Sequence, residues 1–465
     1  MRFIILFFLF GLTISLEAQE KVTDISGSFG KLKNSFNIQD SNTGNFAIFL
    51  EGNNQTFAIL YNKEFTELGR LAVPTLSSKF KSIIGYQFED KKLTLLMNTL
   101  NGRSYGFTTF NFQTGMRTSK EIDFKVKGER VLDAVTYKNV IYLLTLPSSS
   151  SQINIYSFKN LEEPILTEVE FPKETLLDRR DRPRKLYDIT KDSPFSSVEE
   201  DVPNSLEVAS GKFKLYQKDE NITLTLDSAN EFTYLLKINL ENFEKSVTRF
   251  EKPTTDGFKM GLRTNSFIDN GKLFQLVANS SILKLRVFDL ASEAIIKEYS
   301  LTDSDELFFK NTPIVFKGGD FQSYRELETT NQFLRKISTG DIGLSVYREN
   351  GIYQITMGSA AEKDGGLILV GGALGGVVGV LIVSSINQLT TSYSLYKNTK
   401  SVRITGLFKE DLSHIKDDVP SNPFDTIKSF LEENSGQAET IFKLNNQYFC
   451  GFFNKKDEVY SLYKF

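Results

Sequence analysis

The sequence predicts an all-β protein built from one recurring unit of four short strands. Three observations lead there. Runs in which apolar and polar residues alternate fill most of the chain, and period-two alternation marks a strand with one buried face. These runs end repeatedly in an apolar–polar step followed by a turn, at a spacing that returns to about 49 residues. One stretch of 22 residues, 365–386, breaks the pattern: it has no charge and seven glycines.

The recurring step falls at Tyr61-Asn62, Phe110-Asn111, Phe158-Lys159, Ile238-Asn239, Phe288-Asp289, Tyr396-Lys397 and Tyr463-Lys464. The intervals between successive steps are 49, 48, 80, 50, 108 and 67 residues. A hairpin partner precedes each step, as in 92–97, 140–146 and 272–278. Each of the first six is followed by a turn and another alternating run, as in 117–124, 165–171 and 295–301. A unit near 49 is the length of a four-stranded propeller blade. Seven steps therefore predict a seven-bladed β-propeller over residues 19–465, with each step closing the third strand of a blade. The last step lies at the end of the sequence, so the seventh blade lacks an outer strand. The early run 22–29 would supply it by pairing with 459–463, which closes the ring and leaves no open edge. No WD dipeptide and no kelch glycine pair is present. A pair of β-sandwiches would also give short, evenly spaced strands, but it accounts less well for the common unit.

With a blade as ruler, the long intervals become insertions. Residues 172–206 and 302–337 fall between the outer strand of one blade and the inner strand of the next. The tail of the second, 326–337, reads as a short helix. The third insertion, 359–390, replaces the turn between the second and third strands of blade six: the chain leaves after Ser359 and returns as a strand over 391–396. Strand alternation puts these connections on one face, where loops on a rigid scaffold concentrate binding residues.

The 365–386 stretch has three readings: a transmembrane helix, since about 20 apolar residues span a bilayer; a buried strand or hairpin; or an apolar finger docked into a partner. Gly371, Gly375 and Gly379 fall four apart, as do Gly372 and Gly376, giving a helix one smooth face for close packing. In water such a helix would be poor, because each Gly costs about 1 kcal/mol against Ala. A single membrane crossing would put two strands of one blade on opposite sides of the bilayer, where they could not pair. The docking finger is the preferred reading. Its partner-binding residues would be Leu367, Ile368, Leu369, Val370, Gly371, Gly372, Leu374, Gly375, Gly376, Val377, Val378, Gly379, Leu381 and Ile382.

Residues 1–18 read as a secretory signal: Arg2, an apolar core from Phe3 to Ile14, then Leu16-Glu17-Ala18. With 55 basic and 58 acidic residues, nucleic acid is not an expected partner. The one cysteine, Cys450, allows no intrachain disulfide and reads as a buried small hydrophobe. The one histidine, His414, reads as a packing residue. Without a second His or Cys, zinc sites and His-activated nucleophiles have nothing to build on. Asp40-Ser41-Asn42-Thr43-Gly44-Asn45 lacks the Glu of a calcium loop and reads as turn chemistry. The basic run Arg179 to Lys185 is interleaved with acids and reads as a solvated loop. The glycines of 365–379 lack the Lys-Ser/Thr of a phosphate-binding loop. No catalytic residue, metal or cofactor is expected.

The Lys, Asn and Phe richness and the Ala18-Gln19-Glu20 signal end resemble envelope proteins of Bacteroidota. An exported propeller with an apolar finger looks like the plug subunits that close the periplasmic end of the type 9 secretion translocon's outer-membrane barrel. That resemblance implies a periplasmic protein associated with the outer membrane. Its partner would be an integral outer-membrane protein, a large β-barrel translocon, with membrane contact through 365–386. Two other classes stay open: an exported propeller enzyme or carbohydrate-binding module with a site in the central channel, and a propeller tethered to a membrane.

Overall fold

The computed structural model describes residues 19–75, 79–80, 82–99, 101–172, 176–178, 180, 182–254, 257, 261–318, 324–360, 381–382, 388–398 and 400–465. Among them are seven antiparallel sheets of four or more strands, the blades of a β-propeller. From the centre outward, blade one is Asn34–Gln39, Phe46–Glu51, Gln55–Tyr61 and Glu67–Pro74. Blade two is Ser82–Glu89, Lys92–Asn98, Tyr105–Asn111 and Met116–Ile122. Blade three is Glu129–Tyr137, Val140–Pro147, Gln152–Phe158 and Ile165–Glu170. Blade four is Phe213–Lys218, Asn221–Leu226, Phe232–Asn239 and Lys245–Glu251. Blade five is Arg263–Asp269, Lys272–Ala278, Ile282–Asp289 and Ile295–Thr302. Five helices accompany them: α1 (Leu186–Thr190), α2 (Leu206–Ala209), α3 (Thr330–Ile337), α4 (Gln388–Lys397) and α5 (Pro423–Asn434).

Turn chemistry sets the register of the inner hairpins. Asn270-Gly271 and Asn350-Gly351 have positive φ at both positions, 45° and 70° in the first and 50° and 77° in the second. A two-residue turn of that shape suits the twist of the strands it joins, and it pairs Asp269 with Lys272 and Glu349 with Ile352. Second strands are buried almost throughout, as in Lys92–Asn98, while outer strands are largely exposed, as in Met116–Ile122.

The aromatic steps mark blade contacts. The Phe110 ring lies 5.1 Å from Phe49 of blade one, Phe158 lies 6.1 Å from Phe107 of blade two, and Phe288 lies 5.0 Å from Phe250 of blade four. Edge-to-face pairs at these separations suit the ring quadrupole. Each step therefore fastens the end of a third strand to the preceding blade.

Ring closure follows the expectation with a small shift. Glu20–Ser26, rather than 22–29, forms the outer strand of blade seven and pairs antiparallel with Val459–Lys464. Gln437–Leu444 and Gln447–Asn454 complete that blade. Phe29 lies beyond the strand and buries its ring edge-on against Phe57 at 4.9 Å. Ser35 of blade one bonds Ala438 O at 2.5 Å and the Tyr460 hydroxyl at 2.8 Å, locking the first blade to the last.

Blade six departs from the reading. Its first two strands are Asp341–Glu349 and Ile352–Ala360, but its third is Ser401–Phe408, and 391–396 lies in α4. The step that closes the third strand is Phe408-Lys409, with the Phe408 ring 5.5 Å from Tyr299 of blade five. Tyr396-Lys397 mimics it because a short run with polar residues between Leu389, Tyr393 and Leu395 satisfies both periods. Packing decides for the helix: Leu389 and Tyr393, one turn apart, are buried against blade seven and α5. The connection from second to third strand therefore runs over 361–400 rather than 359–390.

The fourth strand of blade six comes from earlier in the chain. Ile314–Lys317 pairs antiparallel with Ser401–Phe408, and Tyr324–Leu327 extends the sheet. Residues 302–337 thus contribute strands to the outer edge of the blade instead of forming only a rim loop. Their tail is helical as expected: α3 opens with a capping box of Thr329 and Gln332, and it buries Phe333, Leu334 and Ile337. Residues 172–206 also leave the face assigned to them, because their second half descends inside the ring.

Candidate functional site

The channel of the propeller is occupied by its own chain. After α1, Phe195–Val198 runs parallel to the inner strand of blade four, as an extra strand on the channel side. The segment then turns at Glu199–Val202 and climbs back as α2 beside blade six. This strap is tied to the ring on several sides. On blade three, Arg130 donates to Thr190 O at 2.6 Å and Ser193 O at 3.2 Å, and Asp133 accepts from the Ser197 hydroxyl. On blade five, the Asn270 backbone N–H donates to the Glu200 carboxylate at 3.2 Å. On blade seven, the Lys443 ammonium and the Tyr448 hydroxyl donate to Asp201 O at 3.0 and 3.3 Å. On blade six, Ser345 donates to Asn204 O at 2.8 Å. Gly343 lets Leu206 lie flat on that inner strand, since a Cβ there would stand 2.7 Å from Leu206 Cδ1.

Helix α4 is the other element fixed to the inner ring. Thr390 Oγ1 accepts from Ile441 N at 2.8 Å and donates to Ile441 O at 3.0 Å, on the inner strand of blade seven. Ser392 accepts from the strap at Ser205 N, and the Tyr396 hydroxyl donates to Asp425 of α5 at 2.6 Å.

Between the strap, α4 and the inner strands lies a cavity of about 260 Å³. Blades one, two, three, four and seven contribute to it, the strap adds Ser197 to Glu199, and α4 adds Gln388 and Leu389. Burial pushes the Glu199 carboxyl up to about 7; Lys443 pulls it down and Asp201 pushes it further up. Nearby, Asp269 is fully buried, its Oδ2 has no hydrogen-bond partner, and burial together with Asp201 raises it to about 7. Lys214 is also buried; desolvation lowers it to about 8, while Gly211 O at 2.7 Å and Asn265 Oδ1 at 3.2 Å accept from its ammonium.

Of the predicted partner-binding residues, Leu367, Ile368, Leu369, Val370, Gly371, Gly372, Leu374, Gly375, Gly376, Val377, Val378 and Gly379 lie outside the described residues. Leu381 and Ile382 are described in their backbone. They pair in parallel with Ser82 and Ile83, at the entry end of the inner strand of blade two. The insertion thus leaves the ring at Ala360 of blade six and rejoins it three blades away before reaching α4.

The remaining residues singled out in the sequence take ordinary structural roles. Cys450 is fully buried in the second strand of blade seven. His414 pairs with Phe408, its Nε2 is 2.9 Å from Asn311 Oδ1, and burial lowers its basicity. Asp40 is taken up by its own turn, accepting from Asn42 N at 3.0 Å and Thr43 Oγ1 at 2.6 Å. Asp178 takes up Arg182 and Arg184 of the basic run, and those contacts hold its carboxyl well below the usual range. No group of three or more candidate metal ligands occurs among the described residues. Sequence reasoning missed Glu199, Gln217 and Gln388. The only available signal was the 80-residue interval, which says that extra chain exists but not where it goes.

No protein-family profile and no curated protein matches the chain. Solved structures similar to it include a prolyl endopeptidase (9% identity, 90% of this chain and 46% of that one, TM-score 0.38). Others are the Dos1 propeller (7% identity, 96% and 94%, TM-score 0.29) and the β-propeller domain of the trilobed protease from Pyrococcus furiosus (10% identity, 72% and 79%, TM-score 0.29). The chain spans about half the length of the dihydro-haem d1 dehydrogenase (48%) and of the prolyl endopeptidase (46%) that it matches.

Proposed function

We propose that this protein is a non-catalytic cell-envelope propeller that docks its glycine-rich insertion into an integral outer-membrane protein. The finer reading is a periplasmic plug for the β-barrel of a type 9 secretion translocon. One observation carries it: all seven blades have their four strands without residues 361–387. Among the described residues of this uncharged stretch, Leu381 and Ile382 add a short strand to blade two, but no blade depends on the stretch for its four, which leaves 365–380 as the part offered to a partner. Its two ends support this, since Ala360 is paired to Ser401 and α4 is packed on blade seven, so the intervening chain is tethered at both sides. Small side chains would let the backbone approach the wall of a narrow lumen.

Replacing 365–386 with a six-residue Gly/Ser linker tests the reading. Four residues remain before the linker and one after, about 36 Å of chain when extended, so α4 can keep its seat. The variant should fold and should lose a large outer-membrane barrel from pull-downs of detergent-solubilised membranes. Retention of the same partner by the variant would overturn the proposal.

A further inference from the structure

The cavity inside the ring has a chemistry that docking does not use. Among the described residues, nothing hydrogen-bonds the Glu199 carboxyl, the Gln39 amide or the Tyr86 hydroxyl in its wall, and the Gln388 amide nitrogen is buried without a partner. Gln217 donates to Thr136 O at 3.1 Å, which leaves its amide oxygen available. Donors and acceptors are thus both unused, and they come from separate blades, the strap and α4. Of these the Gln388 nitrogen is buried, where a polar group without a partner costs free energy, and Glu199, Gln39 and Tyr86 are half-buried and face the cavity, so the wall suits an occupant that satisfies several of them at once.

Charge narrows the class. Lys443 lies in the wall and its ammonium donates to Asp201 O, while its charge acts on Glu199. A cationic occupant would meet Lys443, and an anionic one would meet Glu199. A neutral occupant meets neither repulsion. Val135, Leu215 and Phe442 add apolar wall, which suits the C–H face of a ring whose edge carries hydroxyls. About 260 Å³ lies below the size of pockets that take drug-sized ligands, so one ring fits and a chain does not.

We infer that the channel cavity bounded by Glu199, Gln217 and Gln388 is a binding site for a single neutral monosaccharide. The amides and Tyr86 exchange hydrogen bonds with its hydroxyls, and Glu199 accepts or donates one more.

The test is saturation-transfer NMR on the purified full chain, without partner. The neutral panel is D-glucose, D-galactose, D-mannose and N-acetyl-D-glucosamine; the charged controls are D-glucuronate and D-glucosamine. At least one neutral sugar should bind with a millimolar or tighter Kd and outcompete both controls. Gln388→Leu should weaken that binding about tenfold, whereas Glu199→Gln, which keeps a polar partner, should change it by less than about threefold. Both variants are checked for wild-type melting. Absence of transfer from all four neutral sugars at about 20 mM overturns the inference, as does a charged sugar that binds more tightly. Equal binding by wild type and a well-folded Gln388→Leu places the sugar elsewhere and overturns it too.

Discussion

Two long insertions enter this ring and differ in how their residues can be held. The strap is fixed by polar bonds to blades three, five, six and seven and by strand pairing to blade four. It also buries Val198, Val202, Leu206 and Ala209 to 4% exposure or less. The glycine-rich stretch 365–386 has only Ser384 and Ser385 as side chains able to hydrogen-bond. An insertion rich in polar anchors becomes part of the core, because each buried partner depends on it. One without them can be specific only through shape, which is what a surface awaiting a partner requires.

The largest expected effect comes from exchanging the roles of the two. Replacing 195–209 with a flexible linker removes four buried apolar side chains and strips partners from Asp133, Ser345 and Lys443. Losses of about 2–5 kcal/mol per large core side chain exceed what a domain stable by about 5–15 kcal/mol can absorb. The strap variant should be insoluble or unfolded. The 365–386 replacement gives up only the short pairing of Leu381 and Ile382 with blade two and should cost about 1–2 kcal/mol, since loop length itself has a weak effect. Solubility and thermal denaturation read both; equal losses would erase the contrast. A narrower version is Leu206→Ala, which should cost about 2–4 kcal/mol in chemical denaturation, with an unchanged m-value.

The strap should also make stability depend on pH. Asp269 has an ordinary value of 3.8 and is raised to about 7 in the fold, so the folded state holds the proton more tightly. Its contribution is fully present below pH 4 and is lost as pH rises toward 7. Glu199 acts with the same sign. Asp201 and Glu200 of the strap face Asp269 and strengthen the effect, while Arg348 opposes it. Asp269→Asn should flatten the stability profile between about pH 4 and 8 and stabilise the protein by roughly 1–3 kcal/mol at pH 8. Urea midpoints at both ends of that range check it. A mutant profile parallel to wild type would mean that Asp269 does not couple strap and ring.

The sequence disclosed the ring better than its contents, for a physical reason. Phe110, Phe158 and Phe288 recur because each must reach the preceding blade, so a packing constraint writes itself into the spacing. Asn270-Gly271 and Asn350-Gly351 are legible because a two-residue turn with positive φ requires them. The helix at 330–337 was legible only as the tail of an insertion, 326–337, and its capping box became visible in the structure. Tyr396 misled because a ten-residue helix against one blade shows no more periodicity than a strand. The borrowed outer strand of blade six left no signal, since Ile314–Lys317 is too short to show a period and its partner lies 84 residues on at Ser401. The cavity was illegible because Glu199, Gln217 and Gln388 meet only after the strap has turned inside the ring.

The smallest effect on the fold, and the sharpest test of the contrast, is Gly375→Leu combined with Gly379→Leu. Both substitutions keep the stretch uncharged and raise its hydrophobicity, so a merely greasy anchor would hold its partner at least as well. They also place two branched side chains on the face where small residues fall four apart, so close packing would be lost. Every blade has its four strands among the described residues without these positions, and the stability of the ring should stay within about 0.5 kcal/mol of wild type. If the insertion docks an outer-membrane protein as proposed, pull-down of that protein should fall at least about tenfold. If the double variant keeps its partner while the 365–386 replacement loses it, the insertion acts by hydrophobicity alone. If both keep it, the partner binds elsewhere on the propeller, and the two insertions differ only in how they are held.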